Sequence, residues 1–174
     1  VNLAFAMVQL EGLRIVLINA DLRKPSSRRF FGEQAEASRG LAHYLMSQAT
    51  VADILNPTHI PNLFVIPPGM IPPNSSELLH SKRMSDLLTQ LTESGFQVIV
   101  DAPPVLPVAD ALILSTQTEG VVLVISEWET DRDACRVAIN RITGCGGKLL
   151  GVILQKSHSS QAFNAGQRYS AMAT

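Results

Sequence analysis

Two short stretches hold the residues best suited to chemistry. In RIVLINADLRKP, Arg14 to Pro25, four apolar residues run into Asn19, then Asp21, then Arg23, Lys24 and Pro25. In QVIVDAPP, Gln97 to Pro104, a second aliphatic run ends on Asp101 and is followed by Pro103 and Pro104. A buried strand that stops at polar groups commonly stops at a ligand, and in open α/β sheets ligands sit beyond the carboxyl ends of the strands. Two carboxylates at one such rim suit a hydrated Mg²⁺, which takes one or two protein carboxylates and completes its shell with water and phosphate oxygens. Taken singly, either aspartate serves equally as a helix N-cap or a surface turn residue. Because each ends an aliphatic strand, the two together favour the cation.

Positioning them requires neighbouring strands. Five segments read as strands: Arg14–Ile18, Leu63–Ile66, Gln97–Val100, Gly120–Ile125 and Lys148–Leu154. The runs IVLI, VIV and VVLVI are continuous rather than alternating, which predicts strands covered on both faces, as in parallel sheets. Helical spacing lies between them. It is clearest over Ser75–Ser94, with Asn74 and Glu77 as a capping box and Gly95 as the C-terminal cap. A second helix is predicted over Asp131–Thr143, with Thr130 as N-cap and Gly144 as the stop, and a short one after Pro107. Leu3, Ala4, Met7, Val8 and Leu10 recur at helical spacing before Gly12, so the chain reads as entering inside a helix. Strands alternating with helices predict an α/β fold, a mostly parallel sheet with helices on both faces.

The bulk properties narrow the choices. The 174 residues suffice for one domain with a full core, and 46% hydrophobic with 17% charged residues is a globular composition. A net charge of −1 lacks the basic excess of a nucleic-acid surface. Cys135 and Cys145 have no CxxC spacing and read as free thiols, while His43, His59, His80 and His158 are scattered without metal-ligand spacing. No apolar run approaches the ~18 residues of a membrane span. Trp128 reads as loop packing, and the basic cluster Arg23, Lys24, Arg28 and Arg29 as an anion site, a solvated face or a subunit contact. Residues 157–174 are polar and aperiodic and read as a flexible tail. TGCGGKLL imitates a phosphate loop but puts Leu149 where a metal-binding hydroxyl must stand, and it leads into a strand instead of a helix.

Taken in order, these segments resemble the bacterial tyrosine kinases, the cytoplasmic autokinases of polysaccharide export systems. VLINADLRKPSSRRFFG is similar to their second nucleotide motif (Walker A′), VIVDAPPVLPVADALIL to their Walker B segment, and PPNSSELL to the element between. GVVLVISEWETDRDACRVAINRI and KLLGVILQK resemble the strands and helix that follow. The likeness covers about residues 1–156, expected as a partial P-loop kinase domain related to the ParA/MinD ATPases and truncated at its N-terminus.

The resemblance implies binding of ATP and Mg²⁺ and phosphorylation of tyrosine. Asp101 would be the metal-side acid, Asp21 a second acid near the metal and the attacking hydroxyl, and Arg23 their basic flank. Asn19, Pro104 and Gln155 would line the nucleotide, Gln155 towards the adenine. Tyr169 would be the phosphoacceptor, presented to an adjacent subunit. Expected partners are further copies of the chain in a ring and a membrane polysaccharide copolymerase or fused membrane domain, placing the protein in the cytoplasm at the inner membrane face. No nucleic acid is expected.

Three departures qualify this. The family has an acid where Asn19 stands, and an amide carries no charge and cannot act as a general base. The sequence contains no G-x-x-x-x-G-K-[ST], without which nucleotide binding by these residues alone is expected to be poor. The tail holds one tyrosine where the family has a cluster. Two alternatives therefore stand beside the kinase: a non-catalytic regulatory module of a polysaccharide copolymerase, and a ParA/MinD-like positioning ATPase.

Overall fold

The computed structural model describes residues 1–24, 39–127 and 129–155. Arg28, Arg29, Trp128, His158, Tyr169 and the predicted tail lie outside the described residues. The chain divides into two compact units, Val1–Thr118 and Glu119–Thr174.

In the first unit, four strands form one sheet in the order β2-β3-β1-β4. They are β1 (Arg14–Asn19), β2 (Asn56–Pro57), β3 (Leu63–Ile66) and β4 (Phe96–Asp101). β1 runs parallel to both β3 and β4, and the two-residue β2 is antiparallel to β3. The unbroken apolar run of β1 reflects its central place. Its period of two sends Ile15 and Leu17 to one face, with Leu63 and with Ala4 of α1 (Asn2–Met7). Val16 and Ile18 enter a larger cluster on the other face, with Leu41, Ile54, Leu79, Leu87, Leu91 and Leu114. Each such side chain contributes roughly 1.5–3 kcal/mol by leaving water. At the amino end of the sheet, Arg14 lays its guanidinium 4.1 Å from the Phe96 ring centre and 5.7 Å from that of Phe64. The two rings meet edge-on at 5.3 Å. These contacts pin three strands at the end opposite the candidate site.

The predicted helix over Ser75–Ser94 is two helices, α4 (Ser75–His80) and α5 (Lys82–Glu93). Ser81 is extended between them, and its hydroxyl donates to the Leu78 carbonyl at 2.6 Å, closing the end of α4. Gly95 ends α5 as expected, with φ +81° and its N–H on the Thr92 carbonyl. The predicted capping box is absent; the Asn74 amide instead donates to the Glu77 carboxylate at 3.1 Å.

The connection after β3 serves another helix. The Pro67 and Pro68 carbonyls accept from the N–H groups of Leu41 and Ala42, at the start of α2 (Leu41–Leu45). A Cβ on Gly40 would strike the Pro67 carbonyl oxygen, so glycine permits this approach. α3 (Val51–Ile54) opens at Thr50, whose N–H and hydroxyl both donate to the Asp53 carboxylate, and α6 (Asp110–Ser115) follows the loop after β4.

In the second unit β5 (Val121–Ser126) and β6 (Leu149–Gln155) pair in parallel, joined by α7 (Arg132–Gly144). Asp131 is the N-cap residue rather than Thr130, whose hydroxyl accepts from the Ser126 N–H at 3.2 Å. The expectation of strands covered on both faces does not hold here. Val124 is 52% exposed and Leu150 62%, because a two-stranded sheet with one helix has less to bury against than β1 does.

Candidate metal and phosphate site

β1 and β4 are adjacent and in register to their last residues, with Asn19 opposite Asp101. The ladder continues one step further, the Ala20 N–H donating to the Asp101 carbonyl at 2.8 Å. Asn19 is buried, and its side-chain oxygen accepts from the Asp21 N–H at 3.1 Å. Asp21 repeats the device. Its Oδ1 accepts from the N–H groups of Arg23 at 3.1 Å and Lys24 at 2.9 Å, while Oδ2 takes neither bond. Consecutive side-chain turns of this kind hold the chain where a strand has ended. Asn19, Asp21 and Asp101 are thus brought together at the carboxyl ends of two parallel strands.

Asp101 lies at an open rim, yet the surrounding strand ends strip enough water from its carboxyl to push its pKa above the ordinary value. The charge of Asp21 adds to this shift. A bound divalent cation would reverse that penalty. Among the described residues no group of three or more His, Cys, Asp or Glu converges on a point. Two carboxylates without a full protein cage fit Mg²⁺ that keeps water and phosphate oxygens in its shell.

Arg23 reaches away from these two acids. Its Nε donates to Asp110 Oδ2 at 2.8 Å, and its Nη2 to Asp110 Oδ1 at 3.2 Å and to Ser76 Oγ at 2.8 Å. The Ser76 hydroxyl donates in turn to Asp110 Oδ1. Asp110 is 0% exposed. Burial alone would raise its pKa, but the hydrogen bonds from Arg23 and Ser76 and the charge of Arg23 hold it below the ordinary value. Sequence reasoning missed Asp110 and Ser76. The available signal was a polar residue opening the apolar helix DALILS after a strand of the same sheet.

The remaining predicted residues lie elsewhere. Pro104 is exposed in the loop after β4, next to buried Pro103. Gln155 ends β6 in the second unit, its amide donating to Ser126 Oγ at 3.2 Å. In TGCGGKLL, the Lys148 carbonyl accepts from the Val121 N–H and Leu149 begins β6, so this segment is a strand lead-in and no phosphate loop.

No family model matches the chain. It is 38% identical over 153 residues to the tyrosine-protein kinase YwqD of Bacillus subtilis, covering 88% of this chain and 63% of that protein. It is also 32% identical over 161 residues to the tyrosine-protein kinase CpsD of Streptococcus agalactiae, covering 92% of this chain and 69% of the relative. The chain belongs to the bacterial tyrosine-protein kinases. The kinase domain of VpsO superposes with a TM-score of 0.80 at 31% identity, covering 88% of this chain and 74% of that one. The cell division ATPase MinD of Pyrococcus furiosus superposes with a TM-score of 0.70 at 20% identity, covering 99% of this chain and 72% of that one, a likeness of fold alone. The α/β architecture of this tyrosine-kinase chain is therefore shared with the VpsO kinase domain and, as a fold, with MinD.

Proposed function

We propose that this chain is part of an ATP-dependent protein-tyrosine autokinase serving polysaccharide export, and that it supplies the metal-side acids. The convergence of Asp21 and Asp101 at the ends of β1 and β4 carries this reading. Mg²⁺, when bound, would neutralise charge on the transferring phosphoryl group. Asp101 would hold it from the strand end. Asp21, with Oδ1 tied to the backbone, would offer Oδ2 to the metal or to the incoming tyrosine hydroxyl. Catalysis of this class rests on position and charge, so one lost acid is costly. Pro104 and Gln155 are proposed nucleotide contacts, and Tyr169 a phosphoacceptor for a neighbouring copy. A self-assembled ring beside a membrane copolymerase is the proposed setting. No helix among the described residues is long and apolar enough to cross a membrane.

A second reading, a non-catalytic regulatory module, draws on Asn19. Its side chain is neutral, buried and engaged by a backbone N–H, as a structural residue would be. One experiment separates the two: phosphotyrosine on the full-length gene product given ATP and Mg²⁺, beside Asp101→Ala. Signal that Asp101→Ala abolishes supports the kinase. Absence of signal from both favours the module.

A further inference from the structure

We propose that Asp110 and Ser76 are positioning residues for the metal rim: they seize the Arg23 guanidinium and so fix the turn that presents Asp21. This rests on the metal-site reading above. Arg23 works at both ends. Its side chain makes a two-point bond to Asp110 and a third bond to Ser76. Its own peptide N–H holds Asp21 Oδ1 at 3.1 Å. Holding the guanidinium restricts the residue whose N–H holds the Asp21 carboxylate.

The three partners come from three segments that each follow the carboxyl end of a parallel strand. Arg23 lies just past β1, Ser76 in α4 after β3, and Asp110 at the start of α6 after β4. A buried carboxylate with charge-assisted, bidentate bonds is a fixed anchor in a way a solvent-exposed ion pair is not. Asp110 is wholly enclosed, whereas the Arg23 side chain is 45% exposed, so the anchor is Asp110 and the held group is Arg23. Its Nε and Nη2 donors are spent here, so through these atoms Arg23 acts as a tether, while Nη1 keeps its two donors.

Outer partners of a metal site typically govern affinity by about 10–100-fold without touching the ion. The test uses the 174-residue chain, with Mn²⁺ affinity read by electron paramagnetic resonance and exchange of the Arg23 and Lys24 amides read by NMR without metal. Asp110→Asn is expected to weaken Mn²⁺ binding about tenfold and to speed exchange of both amides. Adding Arg23→Gln to Asp110→Asn should cost nothing further, because both act through one contact. Ser76→Ala, a milder change with unchanged circular dichroism, should shift both readouts in the same direction. It decides the matter should Asp110→Asn fail to fold. Unchanged amide exchange in these variants would overturn the tether, as would losses that multiply in the double variant. Faster exchange in the variants, combined with no Mn²⁺ binding by the parent or with binding indifferent to Asp101→Ala, would instead overturn the metal-site reading and leave the tether standing.

Discussion

Asn19 decides how much negative charge the rim carries. It is 3% exposed, opposite Asp101, and bonded to the Asp21 N–H. Asn19→Asp keeps the shape and the acceptor but places a third carboxylate beside two others. Without metal that charge is poorly solvated, and the variant is expected to lose about 1–3 kcal/mol of stability. Divalent cation should return the loss, since a ligand that binds only the folded state stabilises it by mass action. Thermal unfolding with and without 10 mM Mg²⁺ (a concentration of the order used for weak cation sites) measures this. A deficit that Mg²⁺ does not repair would place Asn19 outside the metal's reach. Phosphoryl transfer by the full-length product should rise with the same substitution.

The two perturbed acids of this region predict opposite pH responses. Asp101 has a raised pKa, so its contribution to stability is complete below the unfolded value and is lost as pH rises through the folded one. Asp110 has a lowered pKa, so its contribution is present above the unfolded value and is lost as pH falls through the folded one. In metal-free protein Asp101→Asn should therefore stabilise at pH 7, with the gain vanishing towards the acid range. Asp110→Asn should destabilise at pH 7, with the deficit shrinking on acidification. Urea midpoints across pH for both variants check the signs, and equal slopes for the two would contradict the assignment.

Elements differ in how plainly the sequence reports them. That β1 and β4 are buried strands follows from their continuous aliphatic runs, while their adjacency was a condition of the two-acid reading and is met in the pairing. Asp21 and Asp101 were legible as candidates because each follows a continuous aliphatic run. The break at Ser81 was not, because Leu78, Leu79, Leu87 and Leu88 keep helical spacing across it and only one residue, Ser81, closes α4, its N–H and hydroxyl both donating to the Leu78 carbonyl. Arg23 and Asp110 are 87 residues apart, and no local pattern marks a pairing of that range. The loop at Pro67 to Gly69 carries two prolines, but its role as the acceptor for α2 depends on Gly40 coming close. Gly40→Ala would drive its methyl into the Pro67 carbonyl, a backbone group that cannot swing aside. The expected loss is about 1–3 kcal/mol, read as a lower urea midpoint with an unchanged slope. A neutral result would mean that α2 does not pack on this loop.

At the scale of the whole molecule, the α/β alternation announces the fold class, while the degree to which each strand is covered depends on partners that no strand encodes. β1 and β5 have similar aliphatic runs, yet β1 is buried on both faces and β5 is not. Along β5–β6 the register places Val124 beside Ile153, and both are exposed. On the other face of β5, Leu123 is buried, as are Ala138 and Ile142 on α7. On this face the pairs Val122–Gly151 and Val124–Ile153 are apolar and the pair Ser126–Gln155 closes one end with polar groups; an apolar strip on a parallel pair invites contact between copies. The 174-residue chain should therefore sediment faster as its concentration rises through the tens of micromolar, a range typical of weak apolar contacts. Val124→Lys with Ile153→Thr puts a charge and a hydroxyl into the strip while keeping β-branching at Ile153. This double variant should sediment as a monomer over the same range, with the far-UV circular dichroism of the parent. Were association to persist unchanged, contact between copies would have to run through a different surface.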